Sequence, residues 1–140
     1  MNLMDTTTLP APLKVFIVEE SPLVRRRIAS MLGGIHGVAI VGAAEDPLAA
    51  IEGIAVCGAD VAFVDLRLAG GSGLDLLAAI SQRALPVVTI VFTNHSGPQF
   101  RSACLAAGAS YFFDKTTEYD AARATLERLA RSRLALANDH

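Results

Sequence analysis

Five short apolar runs punctuate the chain: LKVFIV at 13–18, VAIVGA at 38–43, VAFV at 61–64, PVVTIVF at 86–92 and SYFF at 110–113. Most are apolar at consecutive positions instead of alternating, the pattern of strands covered on both faces in a parallel sheet. Helical segments lie between them. Val24, Ile28, Met31 and Leu32 form one stripe that opens after Ser21, a natural N-cap followed by Pro22, and closes at Gly33-Gly34. Asp46-Pro47 and Gly97-Pro98 repeat the cap-then-proline signal. Ser72 to Asp75 and Thr117 to Asp120 have capping-box spacing, with Asp replacing the commoner Glu. The last helix is expected to run to about Leu136. Strict alternation of strand and helix with right-handed crossovers predicts an α/β fold, a three-layer doubly wound (βα)5 domain on a five-stranded parallel sheet.

With 140 residues, of which 52% are hydrophobic, the chain suits one domain with its own core. We place a flexible lead-in at 1–12, the domain at 13–136 and a short tail at 137–140. Cys57 and Cys104 lack metal-type spacing and read as free thiols of a reducing compartment. A net charge of −2 gives no footprint for nucleic acid. No apolar run approaches the ~18 residues of a membrane span, and no basic-then-apolar leader opens the chain. A cytoplasmic protein is expected. The N-terminal Met and the unforced end at Asp139-His140 point to a stand-alone unit.

The polar residues that end the apolar runs carry the candidate chemistry. Glu19 and Glu20 follow the first strand, Asp65 the third and Thr93 the fourth, and Lys115 lies just beyond the fifth. In a parallel sheet the carboxyl ends of strands share one edge, so these distant positions converge at one crevice. Three carboxylates brought together repel unless a cation neutralises them, and hard oxygen ligands favour Mg²⁺. A carboxylate beside Mg²⁺, an ammonium and a hydroxyl is equipped for phosphoryl transfer, with Asp65 as nucleophile. Gly70, Gly71 and Gly73 make the segment after Asp65 a mobile loop.

Other polar residues have plainer readings. Asp46, Asp60, Asp75 and Asp120 are read as caps or turn residues, and His36 and His95 as loop histidines without a zinc partner. Arg25, Arg26 and Arg27 are read as a solvated face. Arg123, Arg128, Arg131 and Arg133 suit the helix dipole of the last helix, and Cys104 packing.

Over roughly residues 13–135 the sequence resembles a response regulator receiver domain of two-component signalling. The likeness rests on VEESPLVRR, VDLRLAGGSGLDLL, VFTNHS and GASYFFDK in that order. The resemblance implies a flavodoxin-like sheet of strand order 2-1-3-4-5 and a phosphoacceptor at Asp65. It also implies Mg²⁺ held by Glu19, Glu20, Asp65 and the carbonyl of Arg67. Thr93 and Lys115 would contact the phosphoryl group, and Phe112 would be the switch aromatic that turns inward as Thr93 moves. The implied partners are a histidine kinase or histidine phosphotransfer protein and a downstream protein target. A homodimer through the face around Phe100, Leu105 and the last helix is weighed beside them, with no nucleic acid and no membrane.

Three departures matter. The acidic pair is Glu-Glu, so Glu20 offers a longer arm than the usual Asp. Asn94 replaces a small residue, and Arg67 and His95 flank the acceptor, where they are expected to restrict water and slow self-dephosphorylation. On this basis the protein is expected to be a signalling domain and not an enzyme. A receiver that docks partners without being phosphorylated is the alternative. A flavodoxin-like or phosphatase-like enzyme is disfavoured, because no phosphate-binding loop occurs and Arg67 stands where a second acid would be.

Overall fold

The computed structural model describes residues 11–138. The elements are β1 (Leu13–Val18), α1 (Pro22–Gly33), β2 (Val38–Ala44), α2 (Pro47–Cys57), β3 (Val61–Val64), β4 (Arg67–Leu68), β5 (Gly71–Ser72), α3 (Gly73–Gln82), β6 (Val88–Thr93), α4 (Pro98–Ala106), β7 (Tyr111–Asp114) and α5 (Tyr119–Asn138). The main sheet is parallel throughout, in the order β2-β1-β3-β6-β7. Counted over the five predicted strands, that is 2-1-3-4-5. The lead-in falls outside the described residues except for Ala11 and Pro12, as do Asp139 and His140 of the tail.

The consecutive apolar residues of the strands feed two opposite cores. From β1, Val15 and Ile17 point to one face and meet Ile28, Met31 and Leu32 of α1 and Leu126 of α5. Phe16 and Val18 point to the other and meet Ile51 and Ile54 of α2 and Leu76 and Ile80 of α3. A smaller cluster of Leu66, Leu77, Val91, Cys104 and Phe112 joins α3, α4 and β7. Because side chains alternate across a strand, only a run apolar at every position can serve both layers.

The start signals act as read, with one exception. The Ser21 hydroxyl accepts the Val24 amide at 3.3 Å, and Asp46 Oδ1 the Ala49 amide at 2.8 Å. Ser72 and Asp75 form the full reciprocal box. Gly97 caps α4 without a side chain, and Pro98 fixes the first turn. The expected box at Thr117 and Asp120 does not form. Asp114 Oδ1 instead takes the amides of Thr116 and Thr117 at 2.7 and 2.8 Å, and α5 begins one residue later than that box would place it. An aspartate already lodged at the strand end thus takes the Thr117 amide that Asp120 would have accepted in the box.

The segment after Asp65 is not a bare loop. Arg67 pairs with Ser72 and Leu68 with Gly71 in a two-stranded antiparallel hairpin, turned by Gly70 at φ +70°. The arginines of α5 are also more engaged than a dipole reading implies. Arg123 donates to the Met31 carbonyl at 3.3 Å, Arg128 lies 5.8 Å over the Tyr111 ring, and Arg133 pairs with Asp60. These contacts strap α5 to α1 and to the sheet.

Phe16 shows how tightly the second core is cut. A Cβ at Gly42 of β2 would lie 2.7 Å from its ring, and one at Gly53 of α2 only 2.5 Å. Two glycines thus form a slot for one buried aromatic. Gly53→Ala is expected to lower the unfolding free energy by about 1–2 kcal/mol, since overpacking outweighs the ~1 kcal/mol alanine gains in a helix. Adding Phe16→Leu should return part of that loss, as read by denaturant unfolding of both variants.

Candidate functional site

The sheet register delivers the predicted residues to one edge. Glu19 follows β1, Asp65 follows β3, Thr93 ends β6 and Lys115 follows β7. Backbone bonds fix the convergence: the Asp65 amide donates to Val18 at 3.0 Å, and the Lys115 amide to Thr93 at 3.0 Å.

At the centre the Lys115 ammonium bridges two carboxylates. Its Nζ lies 2.7 Å from Glu19 Oε1 and 2.8 Å from Asp65 Oδ2. The second oxygens are held by backbone amides, Asp65 Oδ1 by Leu66 at 2.7 Å and Glu19 Oε2 by Ser21 at 3.1 Å. Both carboxylate residues are buried, Glu19 to 2% exposure and Asp65 to 8%. Burial alone pulls the Lys115 pKa down, but the hydrogen bonds and charges of Asp65 and Glu19 outweigh it and hold the ammonium above the ordinary lysine value.

Gly73 lets this centre close. A Cβ there would meet the Asp65 carbonyl at 2.6 Å, while the Gly73 amide donates to Leu66 at 2.8 Å. The sequence reading treated this glycine as a source of mobility, whereas its bareness lets α3 press on the acceptor's backbone.

Thr93 is fully buried, and its hydroxyl oxygen accepts the His95 amide at 3.1 Å. Among the described residues no hydrogen bond joins it to Asp65. Arg67 is exposed on β4, and with His95 it lines an open cleft of about 310 Å³ shared with Leu66, Leu74 and Phe100. A second cleft of about 310 Å³, lined by Val24, Arg27, Asn94, Lys115 and Tyr119, opens on the lysine's other side. Glu20 is half-buried, and among the described residues no hydrogen bond or ion pair ties it to Asp65 or Lys115. No three Asp, Glu, His or Cys side chains are gathered as a metal-holding group among the described residues. Of the predicted acidic triad, Glu19 and Asp65 are joined through Lys115, and no bond among the described residues ties Glu20 to them.

Phe112 is already inward, at 3% exposure between Leu77, Val91 and Cys104. Arg101 of α4 covers it, with its guanidinium 4.9 Å from the ring centroid and Nη1 donating to the Phe112 carbonyl at 3.1 Å. The other end of Arg101 pairs with Glu118 Oε1 at 3.0 Å, which also accepts the Asp114 amide at 3.0 Å. Asp114 accepts a short hydrogen bond from Ser96. That bond and the Thr117 and Thr116 amides lower its pKa to about 2. A polar chain thus runs from the loop after Thr93 through the strand that carries Lys115 to α4. Sequence reading missed Arg101, Ser96 and Glu118, which touch only across elements and carry no local motif. It also read Arg25 as solvated, yet Arg25 is turned inward, with Nη1 2.8 Å from the Glu19 carbonyl.

Comparison with known proteins follows this geometry. The response regulator receiver domain family model matches residues 15–127. A protein-glutamate methylesterase/protein-glutamine glutaminase of Myxococcus xanthus is 33% identical over 111 residues, 79% of this chain and 32% of that protein. The Rhizobium etli protein of the same name is 33% identical over 102 residues, 72% of this chain and 29% of its own length. The chain thus spans about a third of the curated relatives it matches. Among solved structures, the isolated REC domain of Salmonella RcsB with phosphomimetic BeF3⁻ has a TM-score of 0.74 at 28% identity, covering 84% of this chain and 89% of that one. The response regulator domain of Thermotoga maritima CheB has a TM-score of 0.75 at 21% identity, covering 89% and 97%.

These relatives overturn one expectation, that the protein is no enzyme, because their names are those of enzymes. The reason is one of extent: that expectation rested on the resemblance to a receiver domain, and the matching segment makes up 32% of the first relative.

The centre makes a pH prediction. A raised folded-state pKa for Lys115 gives stability that is complete below the ordinary lysine value of 10.5 and lost as pH rises through the higher folded value. Urea unfolding should therefore show a steep loss above pH 10.5 in wild type that is absent in Lys115→Met. At pH 7 that variant should itself be less stable by about 3 kcal/mol, since two buried carboxylates lose their cation.

Proposed function

This chain belongs to the response regulator receiver domain family, and on that premise we propose that Asp65 is its phosphoacceptor. The observation that carries the reading is the Lys115 bridge, which puts an ammonium 2.8 Å from a buried aspartate at the sheet's carboxyl edge. A phosphohistidine of a histidine kinase or phosphotransfer protein is the donor. An Asp65 carboxylate oxygen attacks phosphorus as the bond to the imidazole nitrogen breaks, and the histidine leaves with that electron pair. Lys115 exchanges Asp65 for a phosphoryl oxygen and neutralises part of its charge.

Receiver domains generally bind Mg²⁺, and the donor set here fits such an ion. Glu19 and Asp65 share a single ammonium, and Glu20 adds a third carboxylate with no partner among the described residues, so the oxygen-only site carries surplus negative charge. Glu19, Glu20, Asp65 and the Arg67 carbonyl would hold the ion. Its contribution is to offset the charge of the phosphoryl oxygens. The chain's own groups orient and shield: Gly73 fixes the acceptor's backbone, while Arg67 and His95 flank the approach of water and so slow self-dephosphorylation.

Thr93 is the mobile donor. Its hydroxyl leaves the His95 amide for a phosphoryl oxygen, drawing the following loop with it. Because Phe112 is buried from the outset, the signal travels through Ser96, Asp114, Glu118 and Arg101 to the face of α4 instead of through a ring rotation. A downstream protein reads that face. That no bond among the described residues ties Glu20 to Asp65 or Lys115 favours a second reading, a receiver that docks partners without phosphorylation.

Mass spectrometry after incubation with acetyl phosphate and Mg²⁺ separates the two. A gain of one phosphoryl group that requires Mg²⁺ and vanishes in Asp65→Asn is expected. No gain in wild type at millimolar Mg²⁺ would decide for the second reading.

A further inference from the structure

Every polar group of Glu19 is engaged. Its amide donates to Ala44 at 3.0 Å, Oε1 accepts from Lys115 at 2.7 Å, Oε2 from the Ser21 amide at 3.1 Å, and its carbonyl from Arg25 Nη1 at 2.8 Å. Only the carbonyl bond comes from a side chain of α1. That carbonyl and the Glu20 amide form one rigid planar unit, so fixing the carbonyl direction also fixes where the Glu20 Cα sits.

Glu20 depends on that support. It has three side-chain torsions, one more than an aspartate, and nothing among the described residues ties its carboxylate down. An ion that demands near-ideal octahedral geometry penalises such freedom. Arg25 is itself well fixed. Its amide donates to Ser21 at 2.8 Å in the capped first turn, its side chain is 25% exposed, and Nη1 also lies 3.3 Å from Glu45 Oε1. The Glu45 carbonyl accepts the Ala69 amide at 3.0 Å, so the strut reaches the segment beyond Asp65. Its neighbours Arg26 and Arg27 are exposed.

We propose that Arg25 is a positioning residue for the acidic turn. By gripping the Glu19 carbonyl it sets the Glu19–Glu20 peptide so that the Glu20 carboxylate faces a divalent cation shared with Asp65. Arg25 touches neither the ion nor the reacting atoms. This inference deepens the phosphoacceptor reading and rests on it.

Calorimetric titration with Mg²⁺ alone, without phosphodonor, tests it. Arg25→Ala should weaken Mg²⁺ binding about tenfold, the range for residues that orient metal ligands. Its phosphorylation rate at saturating Mg²⁺ should stay within about twofold of wild type. Arg25→Lys, whose ammonium can reach a carbonyl but not hold it as a planar fork, should fall between the two. Glu45→Gln keeps the carbonyl bond and should bind Mg²⁺ as wild type does. Unchanged affinity in Arg25→Ala overturns the proposal, and so does an equal loss in Glu45→Gln, which would assign the effect to the ion pair. If Arg25→Ala does not fold, Arg25→Lys decides alone: a several-fold loss supports the inference and wild-type affinity overturns it. A wild-type protein that fails to take up Mg²⁺ or a phosphoryl group refutes the phosphoacceptor reading itself. One that does both while Arg25→Ala matches it refutes only the role of Arg25.

Discussion

The rest of the site depends on one buried cation between two buried anions. Lys115, Glu19 and Asp65 come from the ends of three different strands, and the ammonium offsets the cost of burying both carboxylates. The arrangement is stable yet not neutral. Two carboxylates face one ammonium, an excess of negative charge at the sheet's carboxyl edge. The bridge also ties the ends of β1, β3 and β7 together at the sheet's carboxyl edge.

Most of this was legible in the sequence because it rests on local rules. Consecutive apolar residues specify buried strands, and Ser21, Asp46 and Ser72 start helices by bonds within three residues. Once the strands are parallel, the polar residue after each one must lie on the shared edge, so Glu19, Asp65, Thr93 and Lys115 followed from topology. What could not be read depends on competition or on distance. The predicted box at Thr117 and Asp120 fails because the strand-end carboxylate of Asp114 already holds the Thr117 amide that Asp120 would accept. The β4–β5 hairpin has two residues per strand, too few for any periodicity to register.

Arginine was the hardest residue to place. Three consecutive arginines on α1 present the same letter, yet Arg25 turns to a backbone carbonyl while Arg26 and Arg27 face solvent. Helical spacing alone separates them. Position 25 lies four residues after the Ser21 cap, so its long side chain can fold back past the helix start toward Glu19. Arg101 is a similar case: its cation covers Phe112, its fork reaches across to Glu118, and neither contact leaves a trace in local sequence. Long side chains with planar donors join elements that topology merely brings near.

Two charges beside the site hold over a wide pH range. Lys115 keeps its proton beyond the ordinary lysine range, and Asp114, one residue before it, stays ionised down to about pH 2. Between these limits neither of the two changes state. On the proposed phosphoacceptor reading, the event that alters the balance here is new charge at Asp65. A phosphoryl group there would compete with Asp65 for the same ammonium and draw on Thr93, whose backbone carbonyl already accepts the Lys115 amide at 3.0 Å. Because Phe112 has no exposed position to leave, such a pull must be absorbed by the polar contacts around it. Of these, the Arg101–Glu118 pair is among the most exposed, its side chains 42% and 35% accessible, and so is the cheapest to break.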